Sequence, residues 1–252
     1  MMRWYNVVLF YLWIAPHLLL AVIGVLLLIR RLYTSFPVFF LYTCYELAEF
    51  ILLFAIRVIG NNQRTLYAHV FIVTLAISTA IRFGVIQEVF NNVFREHGQV
   101  DAIGRVSLRW TTGFLLAAAV LCAIASGPAP GGLIAGVAWI ARGVAIVQCG
   151  LVLFLFLFSG LFGLSLQSYV FGIALGFGVL SSVELANAAI GAGQLTESMA
   201  RALNLISTGG YHVVVLLWLG YLVAPERKLL QPIDVPVDEL DRWNRELERF
   251  LP

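Results

Sequence analysis

Seven apolar stretches, each about as long as a bilayer is thick, leave this chain few folds to choose from. They run over roughly 5–29, 37–59, 66–87, 108–126, 133–158, 166–190 and 202–223, and a helix needs about 20 mainly apolar residues to cross the hydrocarbon core. The breaks between them carry turn chemistry, as in Gly60-Asn61-Asn62, Gly127-Pro128-Ala129-Pro130-Gly131-Gly132 and the polar run 95–109. Of the 252 residues, 61% are hydrophobic and 12% charged, against about 25% charged in a soluble domain. That balance excludes a water-soluble globule and a disordered chain. A formal net charge of +2 gives no basis for a polyanionic partner, so no nucleic acid is expected. The expected fold is an all-α seven-transmembrane helix bundle over 1–230, one domain, with a short tail over 231–252.

The first stretch follows Arg3 but continues for about 25 residues to Arg30-Arg31, too long for the apolar core of a signal peptide. It is expected to remain as a span. With seven spans, Arg30, Arg31, Arg95, Arg105, Arg109, Arg227 and Lys228 collect on one side and Arg3, Arg64 and Arg201 on the other. The positive-inside rule then places the N-terminus outside and the C-terminus in the cytoplasm, in a multi-pass protein of the bacterial inner membrane. In the tail, Leu240, Trp243, Leu247, Phe250 and Leu251 recur at helical spacing, an amphipathic helix suited to a cytoplasmic partner. Its acidic excess fits an anionic lipid surface poorly.

Cys44, Cys122 and Cys149 fall within spans without metal-type spacing, and are expected to pack as small residues. Gly136, Gly143 and Gly150 recur along the fifth span, and Gly172, Gly176 and Gly178 crowd the sixth. Small residues let helices approach closely in lipid. Those contacts lie within one bundle or between copies, which leaves a homo-oligomer or a membrane-complex subunit open.

Charged and polar side chains within the spans are the richest signal, because each costs at least about 2.5–3.5 kcal/mol at mid-bilayer. Glu46, Glu49, Arg57, Arg82, Arg142, Gln148, Glu184 and Asn187 are the candidates for a buried polar core or ligand pocket. At about 1.5 Å per residue, Glu46 and Glu49 sit near the midplane on one face. Arg82 falls in the inner third of its span, Arg142 in the outer half of the fifth, and Glu184 in the outer third of the sixth. Three acids against three arginines favour ion pairing, expected as Arg82 with Glu46 and Arg142 with Glu49 or Glu184.

His17 and His212 lie near the middle of their helices and are the candidates for haem or zinc, if they face one another. No His-Glu-x-x-His occurs and no helix carries two histidines one turn apart, so no cofactor is expected. The chain's one lysine is Lys228, beyond the last span, which excludes a retinal Schiff base within the bundle.

The wording of the later spans resembles a known group. Val147-Gln148-Cys149-Gly150, the run Val170-Phe171-Gly172-Ile173-Ala174-Leu175-Gly176-Phe177-Gly178, Ser182-Val183-Glu184-Leu185, Trp218-Leu219-Gly220-Tyr221-Leu222 and Arg242-Trp243-Asn244 resemble an uncharacterised family of seven-span membrane proteins common in Acidobacteria. Phe36-Pro37 and Gln87-Glu88-Val89-Phe90 look similar to the same group. The resemblance implies a topology and no activity. The expected function is a non-enzymatic sensor, receptor-like protein or scaffold; the alternatives are a small-solute or proton-coupled transporter, and a haem or metal protein using His17 and His212.

Overall fold

The computed structural model describes residues 2–59, 64–95, 142–146, 148–153, 156–157, 167–191 and 196–224. The described residues are helical apart from short connections and contain no strand. Five long helices stand among them: α1 (Met2–Ile29), α2 (Pro37–Ile59), α3 (Arg64–Arg95), α4 (Tyr169–Gly191) and α5 (Glu197–Val223). All five are long and apolar enough to cross a membrane. Of the two further spans expected from the sequence, 108–126 lies outside the described residues, and 133–158 is represented by helical pieces over 142–146 and 148–153. The expected tail helix over 231–252 lies outside them too.

The helices pack in a closed ring, α1 on α2, α2 on α3, α3 on α4, α4 on α5 and α5 back on α1. The outward faces are apolar: Leu18, Val22, Val25 and Leu28 of α1 are exposed at helical spacing. Such a stripe suits lipid rather than water. In α4 alone, most of the apolar window (61%) is buried, which makes it the most enclosed helix. Its glycines explain that position. A methyl group added at Gly176 would overlap the Trp218 indole of α5, one at Gly172 would overlap Tyr221, and one at Gly178 would overlap Val152. These three glycines therefore make their contacts within this chain, whereas nothing among the described residues lies against Gly150.

One end of the ring is held by side chains that satisfy free helix termini. Arg31 ends α1 in the left-handed conformation, φ 55°, a common way to close a helix. Beside it, Arg30 donates to Val223 O at 2.9 Å, to Ala224 O at 3.4 Å and to the Tyr169 hydroxyl at 3.1 Å. A cation thus meets the carbonyl end of α5, where the helix dipole is negative. Next to this latch, α2 begins at Pro37 with no capping side chain of its own. Glu88 of α3 supplies the cap, accepting from Val38 N at 2.7 Å and Phe39 N at 2.9 Å, the amides that the first turn leaves free. Asn92 adds a bond to Ser35 O at 3.0 Å. The end of α1, start of α2, end of α3, start of α4 and end of α5 therefore share one face, here the Arg30 face. The opposite one is the Arg57 face.

The Arg30 half is filled by an aromatic plug. Phe39 and Tyr42 of α2 meet Phe177 of α4 and Trp218 of α5, with centroids 5.3 Å apart for Phe39 and Trp218, 5.1 Å for Tyr42 and Phe177, and 4.9 Å for Phe177 and Trp218. Offset and edge-on contacts of this kind are favoured by the ring quadrupoles. Leu20, Ile23 and Leu27 of α1 and Val85, Ile86 and Val89 of α3 close the remaining space.

Candidate functional site

Above the plug, toward the Arg57 face, the middle of the ring is hollow. A cavity of about 310 Å³ takes part of its wall from every one of the five helices. Trp13 and His17 line it from α1, and Glu46 and Glu49 from α2, where a spacing of three puts both carboxylates on one face. Ser78 and Arg82, four apart on α3, face them. Glu184 of α4 and Thr208 and Tyr211 of α5 complete the wall. A second, wider space of about 700 Å³ lies nearer the Arg57 face and shares Trp13 and Thr208 with the first, with Arg57, Phe54 and Asn204 around it.

Arg82 organises the wall. Its Nη1 and Nη2 donate to the two Glu184 oxygens at 2.9 and 2.8 Å, a bidentate pair, and Nη2 also reaches Gln148 Oε1 at 3.4 Å. Ser181 of α4 donates to the same Gln148 oxygen. Gln148 is wholly buried, so it stands behind the wall and ties the 148–153 piece to α3 and α4. Glu46 takes a different partner, the Ser78 hydroxyl at 2.7 Å.

Arg82 thus pairs with Glu184 and not with Glu46 as expected; the other expected pair was Arg142 with Glu49 or Glu184. The expected ruler stopped the third span at Gln87. In fact α3 continues for two further turns to Arg95, so Arg82 stands about 20 Å from the Arg30-face end of its helix. Glu184 stands about 22 Å from the same face along α4. The two are level, and α4 turns Glu184 toward Arg82.

Other candidates fall in different places. Arg57 lies at the wide opening, its guanidinium 5.4 Å from the Trp13 ring centre, a cation–π contact. Asn187 donates to the Ser207 hydroxyl, and so braces a residue of the wall. Arg142 is exposed on the 142–146 piece and lines neither space. Cys44, expected to pack, is exposed, and Cys149 is half-buried against Gly178 O and Ser182.

The two histidines meet different neighbours. Pro16 lacks an amide proton and loosens its turn of α1; His17 tightens it by donating Nδ1–H to Trp13 O at 2.7 Å. Its ring then stacks on Phe50 at 4.0 Å. His212 instead packs beside Tyr11, at 5.9 Å. No group of three or more histidine, cysteine or acidic side chains is gathered for a metal among the described residues.

Sequence reasoning missed Trp13, Tyr42, Ser78 and Tyr211 as wall residues. Only Ser78 carried a usable signal, being one turn from Arg82 on the same face of α3.

The wall holds three carboxylates and one guanidinium, and the guanidinium is engaged by Glu184. Glu46 and Glu49 have no arginine or lysine in salt-bridge contact among the described residues. Two hydrogen-bond donors of wall residues, Arg82 Nε and the Tyr211 hydroxyl, lack an acceptor among the described residues, and both are buried. Buried polar atoms are rarely left so. The arrangement suits a polar guest. No family model matches the chain, and neither a curated protein nor a solved structure matches it.

Proposed function

We propose that this protein is a receptor-like membrane protein that admits a small solute from the Arg57 face into the cavity between its helices. The observation that carries this reading is the cavity itself: about 310 Å³, walled by all five helices, and supplied with more hydrogen-bonding groups than the wall satisfies. Small-molecule sites are concave and mostly apolar with a few placed polar groups. The opposite half is packed shut by the aromatic plug, which favours a receptor over a carrier.

The fuller topology belongs to the same proposal. Because α3 ends and α4 begins at the Arg30 face, the chain between them crosses the membrane an even number of times. Two crossings, over 108–126 and 133–158, make seven spans. Arg30, Arg31 and the Lys228 region then lie in the cytoplasm by the positive-inside rule, in a bacterial inner membrane, with the tail over 231–252 placed to meet a partner. Kinship with the seven-span group of Acidobacteria is proposed on the same footing and carries no activity with it. A proton- or solute-coupled carrier is the second reading, favoured by one observation: a hollow half facing a closed half is also the shape of a carrier stopped in one state.

Thiol accessibility separates the two. In a variant whose three cysteines are replaced, Ser207→Cys is challenged in oriented membranes with a membrane-impermeant maleimide from each face. The receptor reading expects labelling from the Arg57 face alone. Labelling from both faces means that the cavity alternates, and the carrier reading takes its place.

A further inference from the structure

The chemistry of the wall narrows the guest, on the reading that the cavity receives one. We infer that the cavity takes a small organic cation: a protonated amine that also carries a hydrogen-bond-accepting oxygen. Three observations converge on that class.

The first is charge. Arg82 is held in a bidentate pair with Glu184, so Glu46 and Glu49 are the carboxylates left facing the hollow. An anionic guest would meet both, whereas an ammonium group supplies the counter-charge that the wall lacks. Arg57 does not cancel them, because it lies eight residues, about 12 Å, along α2 from Glu49. In the open space where it sits, charges are screened over about 8 Å.

The second is the aromatic wall. Trp13, Tyr42 and Tyr211 line the cavity together with the two carboxylates, and rings beside acids attract cations. Trp13 already accepts the Arg57 guanidinium at its ring.

The third is the pair of idle donors, the Tyr211 hydroxyl and Arg82 Nε. Arg82 is 6% exposed, and Tyr211 shares the cavity wall with it, Glu46 and Glu49. A bare ammonium offers these donors nothing. Both atoms have almost no accessible surface, so a guest with an oxygen acceptor a few bonds from its amine satisfies acid and donor at once by a small turn of the Tyr211 or Arg82 side chain. A volume near the lower end of the usual range for ligand sites, about 300–1,000 Å³, keeps that guest small. A metal ion fits poorly, since the donors surrounding it would number too few among the described residues.

The test uses the full chain in lipid nanodiscs, with calorimetry as the readout. The probes are ethanolamine, 4-aminobutanol and tyramine, the N-acetyl derivative of each, n-butylamine, sodium butyrate, and sodium chloride at matched ionic strength. At least one oxygen-bearing amine is expected to bind at least about tenfold more tightly than its N-acetyl derivative. Glu46→Gln with Glu49→Gln abolishes that preference. Tyr211→Phe, which removes a hydroxyl without a partner among the described residues and so is expected to leave the fold intact, brings the oxygen-bearing amine down to the affinity of n-butylamine. Equal binding of the N-acetyl derivatives, or tightest binding of butyrate, overturns the cationic class while leaving a solute-binding cavity. Heat from sodium chloride that matches the amines makes the guest an inorganic ion and overturns it too. Silence from every probe also overturns it, and the Ser207→Cys labelling then tells whether the cavity reading falls as well.

Discussion

The two halves of the bundle are built from the same five helices by opposite rules. Toward the Arg30 face the interior is aromatic and aliphatic, and glycines on α4 draw α5 in until the Trp218 indole lies against the backbone. Toward the Arg57 face the same helices present carboxylates, hydroxyls and a guanidinium around a hollow. In lipid, helices associate through packing and hydrogen bonds rather than through the hydrophobic effect. The plug half uses the first and the cavity half the second, through the Arg82, Glu184, Gln148 and Ser181 network. Close packing is thus concentrated at one end, and unmet hydrogen-bonding capacity at the other.

The largest effect is expected in the plug. Trp218→Ala removes a side chain 1% exposed and its bond to Ile173 O at 3.3 Å, and is expected to lower stability by about 3–5 kcal/mol, read as a thermal melt in detergent. A loss under about 1 kcal/mol would mean that the plug is loosely packed, and the contrast between the halves would fail.

Next comes the network on the cavity wall. Arg82→Gln leaves Glu184 without its counter-ion and Gln148 without one of its two donors. The expected loss is about 3 kcal/mol, the low end for breaking a buried pair, because the Glu184 side chain is 39% exposed. Pairing Arg82→Gln with Glu184→Gln is expected to recover part of that loss. Strictly additive losses would show the two residues to be uncoupled.

The smallest effect separates walls from guests. Tyr211→Phe is expected to change the melt of the protein without added amine by less than about 0.5 kcal/mol in either direction, since the hydroxyl makes no bond among the described residues. A loss above about 1 kcal/mol would reveal a structural partner for the hydroxyl and remove it from the account of the cavity.

The course of the helices could be followed in the sequence more closely than the contents of the cavity. α1 and α2 follow their apolar stretches, and Glu46 and Glu49 could be placed on one face from spacing alone. The end of α3 could not be found by hydropathy, because Asn91, Asn92 and Arg95 continue the helix beyond the apolar stretch. A helix leaving a bilayer has no need of apolar residues, and hydropathy reports the bilayer rather than the helix. That error in length displaced Arg82 and changed its expected partner. The aromatic wall was hidden for another reason. In a chain with 18 Phe, 9 Tyr and 6 Trp, the residue type says little, and only the rotation of each helix decides whether a ring faces lipid, plug or cavity. Glu88 shows the same dependence on the whole fold: it caps α2 across 49 and 50 residues of sequence, out of reach of any local capping pattern.

Hydroxyl-radical footprinting of the unmodified protein in nanodiscs, read by mass spectrometry at two tryptophans, asks whether solvent reaches the cavity and stops at the plug. Trp13 lines the cavity and its wide opening, whereas Trp218 is sealed in the plug. Trp13 is expected to be oxidised many times faster than Trp218. Equal rates at the two rings would mean that water enters both halves alike, and would contradict the closed plug.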